Sequence, residues 1–227
     1  MTDSDSTPHG PKHESNTVVL DAKGLRALAH PVRVQLVGLL RKHGPSTATR
    51  LAERLGVNSG TASYHLRQLG DAGFVEEDTE RGNARERWWR AVHQSTWFSD
   101  PELARREPEA ALAYLQSVAA AYTLRTQRAL GELQTLPDEW RGTFDISDWP
   151  LLLTPEETVS LRKELYALVA RYRSDSPETS AGAPEGAERV SLITQILPEV
   201  ATPGGDPADA APANGPAPAK RRGMETW

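Results

Sequence analysis

The sequence predicts a mainly helical chain with a small β component, an α+β protein. Three observations carry this. Apolar residues recur at helical spacing in successive segments between residues 22 and 71, separated by proline and glycine punctuation. Two short alternating runs follow, at 74–79 and 84–92, joined by the turn formers Glu80-Arg81-Gly82-Asn83, which is the pattern of a hairpin. A stretch of about thirty residues, from Glu107 to Leu136, then repeats apolar residues at three-four spacing.

Taken in order, Met1 to Thr17 is polar and predicted to be disordered. His9 and His13 lie four apart, but Pro8, Gly10 and Pro11 disfavour the helix that would aim both at one metal, and no metal site is expected. Val18 to Leu20 is a short strand or lead-in. Asp21 is placed to cap a helix starting near Ala22. Leu25, Leu28, Val32, Leu36, Leu39 and Leu40 give a helical stripe with Pro31 inside it, so the spacing predicts a break near His30 and a fresh helix at Pro31. Gly44-Pro45 ends it. This region reads as scaffold.

Thr47 to Leu55 is a short amphipathic helix with Leu51, Ala52 and Leu55 as its stripe. Gly56-Val57-Asn58 is a tight turn. Ser59 is a natural N-cap for the next helix, 59–71, which buries Ala62, Leu66 and Leu69 and stops at Gly73. Two short helices joined by such a turn form a helix-turn-helix, and the hairpin behind them makes it winged. The expected architecture is therefore a winged helix-turn-helix domain, a long dimer helix and a small α/β C-terminal subdomain. The expected boundaries are 1–17 for the leader, 18–95 for the winged domain, 101–198 for the C-terminal domain and 199–227 for a Pro-, Ala- and Gly-rich disordered tail.

With positions 62, 66 and 69 inward, Ser59, Gly60, Thr61, Ser63, Tyr64, Arg67 and Gln68 face outward. These are hydroxyls, an amide and a guanidinium, without an acid. Such a face fits a major groove and places donors on base edges and phosphates. The plainer reading is a solvated helix face. Arg81, Arg85 and Arg87 on the wing are candidates for the adjacent minor groove or its phosphates. One of Trp88 and Trp89 must turn toward the core. His65 beside the buried stripe reads as a satisfied boundary histidine or a phosphate neighbour.

The net charge is −5. Residues 20–95 hold 12 Lys and Arg against 8 Asp and Glu, a balance of +4, which leaves −9 for the rest. A locally basic segment in an acidic chain suits binding of double-stranded DNA by one face. There are no cysteines, which excludes disulfides and thiolate metal sites. No secretory signal or membrane span is legible, so a cytoplasmic protein is expected.

The pieces Leu28-Ala29-His30-Pro31-Val32-Arg33, Thr47 to Leu55, Ser63-Tyr64-His65-Leu66-Arg67-Gln68-Leu69 and Ala72-Gly73-Phe74-Val75 together resemble ArsR-type winged helix-turn-helix regulators over about residues 20–95. The resemblance implies DNA contacts at Ser63, Tyr64 and Arg67, and a homodimer on a pseudo-palindromic operator. The chain departs from metal-sensing members of that group: it lacks cysteines, and no histidine follows His93.

In the second half Leu112, Leu115, Ala119, Tyr122, Thr126, Ala129, Leu133 and Leu136 form a heptad seam. It packs either on its own domain or, as favoured here, on a symmetry mate through Leu112, Leu115, Ala119, Tyr122, Ala129 and Leu133. Residues 145–153 and 189–197 read as strands that could pair. Between them Thr154-Pro155-Glu156-Glu157 starts a helix with Leu161, Leu165, Leu168, Val169 and Tyr172 as its stripe. This order resembles the C-terminal regions of actinobacterial-type regulators of the same broad group. Trp97, Trp140, Trp149, Tyr122 and Phe144 read as core or interface residues, with the lining of an apolar effector pocket as the sharper alternative. Asp145, Asp148, Glu156 and Glu157 are turn and helix-start acids rather than a catalytic pair, and no cofactor or enzymatic activity is expected. The function expected is a DNA-binding transcriptional regulator, a homodimeric repressor. The alternative is a protein-interaction module with a winged fold that does not bind DNA.

Overall fold

A computed structural model describes residues 16–81, 86–175 and 182–199. The leader up to residue 15, the wing tip at 82–85 with Arg85, and the tail from residue 200 lie outside the described residues. The chain divides into two units, Met1–Ser191 and Leu192–Trp227. In the second, residues 192–199 carry no regular secondary structure.

The first unit opens with strand β1 (Thr17–Val19), then helices α1 (Ala22–Leu28) and α2 (Pro31–His43). Asp21 caps α1 by accepting from the Gly24 N–H at 2.7 Å. Pro31 starts α2 and His30 is its N-cap, so the proline marks a helix start rather than a kink. Next come β2 (Ser46–Thr47), α3 (Ala48–Leu55) and α4 (Ser59–Asp71). Thr47 caps α3, and Gly56 closes it in the left-handed region at φ 67°, where only glycine avoids a Cβ clash. The cap of α4 is Asn58, whose Oδ1 accepts from the Thr61 N–H at 2.7 Å. Ser59, the expected cap, is instead the first helical residue. Both residue types can cap. The turn ends one residue earlier than the sequence reading placed it.

Strands β3 (Val75–Glu77) and β4 (Trp88–Ala91) form the wing, and β5 (Ser95–Trp97) follows. β4 lies between β2 and β3, antiparallel to both, with Ser46 opposite Trp89 and Glu77 also opposite Trp89. β5 pairs in parallel with β1, Val18 opposite Thr96. The core joins Leu25 and Leu28 of α1, Leu36 and Leu40 of α2, Leu51 of α3, Leu66 and Leu69 of α4, and Phe74, Val75 and Trp89. Trp89 packs against Gly70, where an added Cβ would stand 3.3 Å from its ring.

Helix α5 (Pro101–Arg106) leads to α6 (Pro108–Glu132), a 3-10 turn (Leu133–Thr135), α7 (Asp138–Arg141) and α8 (Pro155–Val169). α6 packs on α1 and α2. Its buried residues are Ala111, Tyr114, Ser117 and Ala121. The seam lies beside that face: Leu112 is 57% and Leu115 52% exposed. The Thr154 side chain and Glu157 form a reciprocal capping box at the start of α8. α8 itself buries none of its residues.

The α+β class stands, but all the strands among the described residues fall within 17–97. Residues 145–153 and 189–197, expected as strands of a small α/β subdomain, carry none. Alternation of apolar residues marks a segment that suits a ladder, but a ladder also needs a partner edge and a packed face. Ile146, Trp149, Leu151 and Leu152 are all exposed.

Candidate nucleic-acid interface

The outward face of α4 forms because Ala62, Leu66 and Leu69 are fully buried at helical spacing. Ser59, Gly60, Tyr64, Arg67 and Gln68 are exposed, and Thr61 and Ser63 are half-buried. The expected residues therefore share one surface, and α4 has no acidic side chain before Asp71 at its end. Arg67 Nε donates to the Ser63 carbonyl at 3.3 Å, which lays the guanidinium along the helix. Gly60 has a local reason as well: a Cβ there would sit 3.2 Å from the capping Asn58 Oδ1.

The wing arginines are less free than the sequence reading assumed. Arg81 Nε lies 3.5 Å from Asp78, and Arg87 Nε lies 3.1 Å from Glu77. Arg87 also lies over the Trp89 ring, 5.9 Å from its centroid. Arg90 pairs with Glu76 at 2.9 Å. The Arg87–Glu77 and Arg90–Glu76 pairs are exposed and worth about 0–1 kcal/mol each, so a phosphate can replace those carboxylates at small cost, whereas Asp78 is buried beneath Arg81.

Trp89 is the tryptophan turned to the core, and Trp88 lies beneath Arg50 of α3, 5.1 Å from guanidinium carbon to ring centroid. This pair ties α3 to the wing and adds an exposed guanidinium that the sequence reading did not single out. Nothing local announces it, because 38 positions of chain separate the two residues. Arg41 of α2 was also missed. Its Nε donates to the His93 carbonyl at 2.7 Å and an Nη to Thr96 Oγ1 at 2.8 Å. Burial pushes this guanidinium down to about 10 and the neighbouring Tyr114 phenol up to about 12, so Arg41 stays charged at neutral pH.

His65 is not the satisfied boundary residue expected. It is 7% exposed, and its Nδ1 has no hydrogen-bond partner. Its ring centroid lies 4.3 Å from that of His30.

The five aromatics considered for an effector pocket do not gather. Trp97 packs edge-on against Tyr166 and donates to Ser99 Oγ. Trp149 is 76% exposed. Phe144 lines an open hollow of about 370 Å³ with Leu133, Gln134 and Arg141. Asp145 accepts from the Ser147 hydroxyl, and Glu157 serves the capping box. Among the described residues no group of three or more His, Asp or Glu is placed to hold a metal ion, and no helix is long and apolar enough to cross a membrane.

Residues 28–78 match the family model described as a helix-turn-helix domain. That span runs from the end of α1 through β3, so it includes both helices of the motif and the entry to the wing. The chain thus carries a helix-turn-helix domain, and the β3–β4 hairpin behind it makes that domain winged. No curated protein matches the chain. Among solved structures, one of disulfide-formed AbfR is 14% identical over 45% of this chain and 66% of that one, with a TM-score of 0.24. A double mutant of ZitR from Lactococcus lactis in apo form is 18% identical over 67% of this chain and 86% of that one, with a TM-score of 0.26. A second structure of the same mutant is 15% identical over 63% and 74%, with a TM-score of 0.23. The domain match, rather than these superpositions, is what identifies residues 28–78.

Proposed function

We propose that this chain is a sequence-specific DNA-binding regulator of transcription, acting as a homodimer that represses by occupying a promoter. α4 enters the major groove with Ser63, Tyr64 and Arg67 at the bases or phosphates. The wing, with Arg81, Arg85 and Arg87, lies on the adjacent minor groove or backbone. One observation carries the reading: the outward face of α4 is polar, exposed and free of acids, while its opposite face is fully buried. A helix held this rigidly, with donors on its open side, is what base-edge readout requires.

Residues 18–95 are the DNA-binding domain in this reading, and 101–198 the dimerisation domain. The exposed Leu112 and Leu115 support pairing of α6 with its mate, continuing through Ala119, Tyr122, Ala129 and Leu133. A two-fold dimer then presents two copies of α4 to two half-sites of a pseudo-palindrome.

The test is a titration of fragmented genomic DNA with the purified protein at two salt concentrations. Enrichment of a few imperfect palindromes, with affinity falling as salt rises, is the expected result. The paired state of the wing arginines favours a second reading, a winged interaction module without DNA affinity. That reading takes over if no fragment is enriched at either salt.

A further inference from the structure

Two buried side-chain nitrogens among the described residues lack a hydrogen-bond partner, Arg33 Nε and His65 Nδ1. They belong to one cluster. Arg33 and His30 come from the head of α2, and His65 from the buried side of α4. The His30 and His65 rings are in contact, tilted by 43° with centroids 4.3 Å apart. Tyr64, on the outward face of α4, packs edge-on against His65 at 5.3 Å. Arg33 is held by donating to the Arg26 carbonyl at 3.0 Å. A helix expected to read DNA is therefore fixed to the scaffold partly through two imidazoles and a guanidinium.

The cluster tolerates only neutral rings. His30 Nδ1 accepts the Val32 N–H at 3.2 Å as the N-cap of α2, so its proton sits on Nε2. A proton on Nδ1 would turn the acceptor toward a donor and remove the cap. His65 Nδ1 has no partner to fix its tautomer, while Arg33 Nε is a donor. Protonating His65 would set a second cation, and a second donor, against Arg33.

Among the described residues no carboxylate is among the causes that shift either ring. The charges acting on His65 are those of His30 and Arg33, and the one acting on His30 is Arg33. The other charged residues on the elements packed against α4 are Lys23 and Arg26 on α1, Arg41 and Lys42 on α2, Arg50, Glu53 and Arg54 on α3, and Glu76 and Glu77 on β3. The two β3 carboxylates pair with Arg90 and Arg87. Burial comes first, and these cationic neighbours second, in holding both histidines below the ordinary imidazole value. A depressed histidine contributes stability that is fully present above about pH 6.5. That stability is lost as pH falls through the lowered value.

We propose that His65, with His30 and Arg33, is a positioning residue of the DNA-reading helix, and that acid releases α4 from its DNA-binding placement by protonating the contacting histidine pair. This rests on the DNA-binding reading above. Two measurements on the full chain separate the two. The first is an NMR pH titration of the free protein, which needs no DNA. Both imidazoles are expected to titrate below 6.5, in separate steps because the first cation opposes the second, with the amides of residues 59–71 shifting as His65 takes up its proton. Titration of His65 at or above 6.5, or of the ring without α4, overturns the proposal whatever DNA does.

The second is the affinity for a duplex selected from a random library at pH 8, measured from pH 8 to 5.5 at fixed ionic strength. Wild type is expected to weaken several-fold as the pH falls below the ordinary imidazole value. His30→Asn keeps a capping acceptor without a titrating group, and His65→Gln keeps an amide in place of the ring. Either variant is expected to flatten the profile. His30→Asn serves alone if His65→Gln fails to fold. Protonation elsewhere adds attraction to phosphate, so affinity that holds or rises in acid, or an equal loss in the variants, overturns the proposal. If no duplex is selected, the DNA-binding reading has failed and the titration of the free protein decides this one.

Discussion

The winged region and the region after Asp138 make opposite use of their apolar residues. Between Leu20 and Trp89, leucines at helical spacing are buried to within a few per cent, and strand β4 is paired on both edges. After Asp138, α8 buries nothing, Leu152 is fully exposed, and Trp149 nearly so. The two regions are similar in how clearly their sequences are patterned. They differ in whether one chain can satisfy the pattern. The first region closes on itself. The second leaves several large apolar side chains exposed, and α6 has one face inward on α1 and α2 with Leu112 and Leu115 outward.

The contrast can be broken most directly in the core. Leu66→Ala is expected to cost about 2–5 kcal/mol, as for fully buried leucines in general, read as a lowered denaturation midpoint. Leu152→Ala is expected to leave the midpoint of the dilute chain nearly unchanged. A large loss from Leu152→Ala would mean that the second region closes within one chain after all. Leu115→Glu is expected to abolish self-association in sedimentation while changing the stability of the isolated chain by less than about 0.5 kcal/mol. Unaltered association would remove the seam from the interface.

Smaller effects sharpen the picture inside the winged region. Arg67→Ala is expected to weaken specific DNA binding by about 1–3 kcal/mol if the guanidinium holds a base. Asn58→Ala is expected to cost about 1 kcal/mol of stability by stripping the cap from α4, and Ser59→Ala almost nothing. Equal effects of those two changes would return the cap to Ser59. Arg87→Ala is expected to weaken binding evenly across sequences and lower the salt slope by about one.

What the sequence made legible was local. Asp21, Pro31 and Gly73 lie within a turn of the helix ends they define, and Thr154 within a turn of its capping partner Glu157. The outward face of α4 follows from three buried positions on the same helix. What escaped was contact across distance. Nothing near Arg50 points to Trp88, nothing near His65 points to His30, and the acids that hold Arg81 and Arg87 read simply as the polar half of a hairpin. The segments 145–153 and 189–197 failed for a related reason: alternation records a preference for a ladder, and neither segment is paired with a strand among the described residues.

The central claim is that α4 reads sequence while the wing holds backbone. The most direct test compares wild type, Arg67→Ala and Arg87→Ala on one selected duplex and its scrambled counterpart, at two salt concentrations. The expected result is that Arg67→Ala erases most of the difference between the duplexes, while Arg87→Ala weakens both alike and flattens the salt dependence. Equal affinity of wild type for the two duplexes, or discrimination that survives Arg67→Ala intact, would contradict the account.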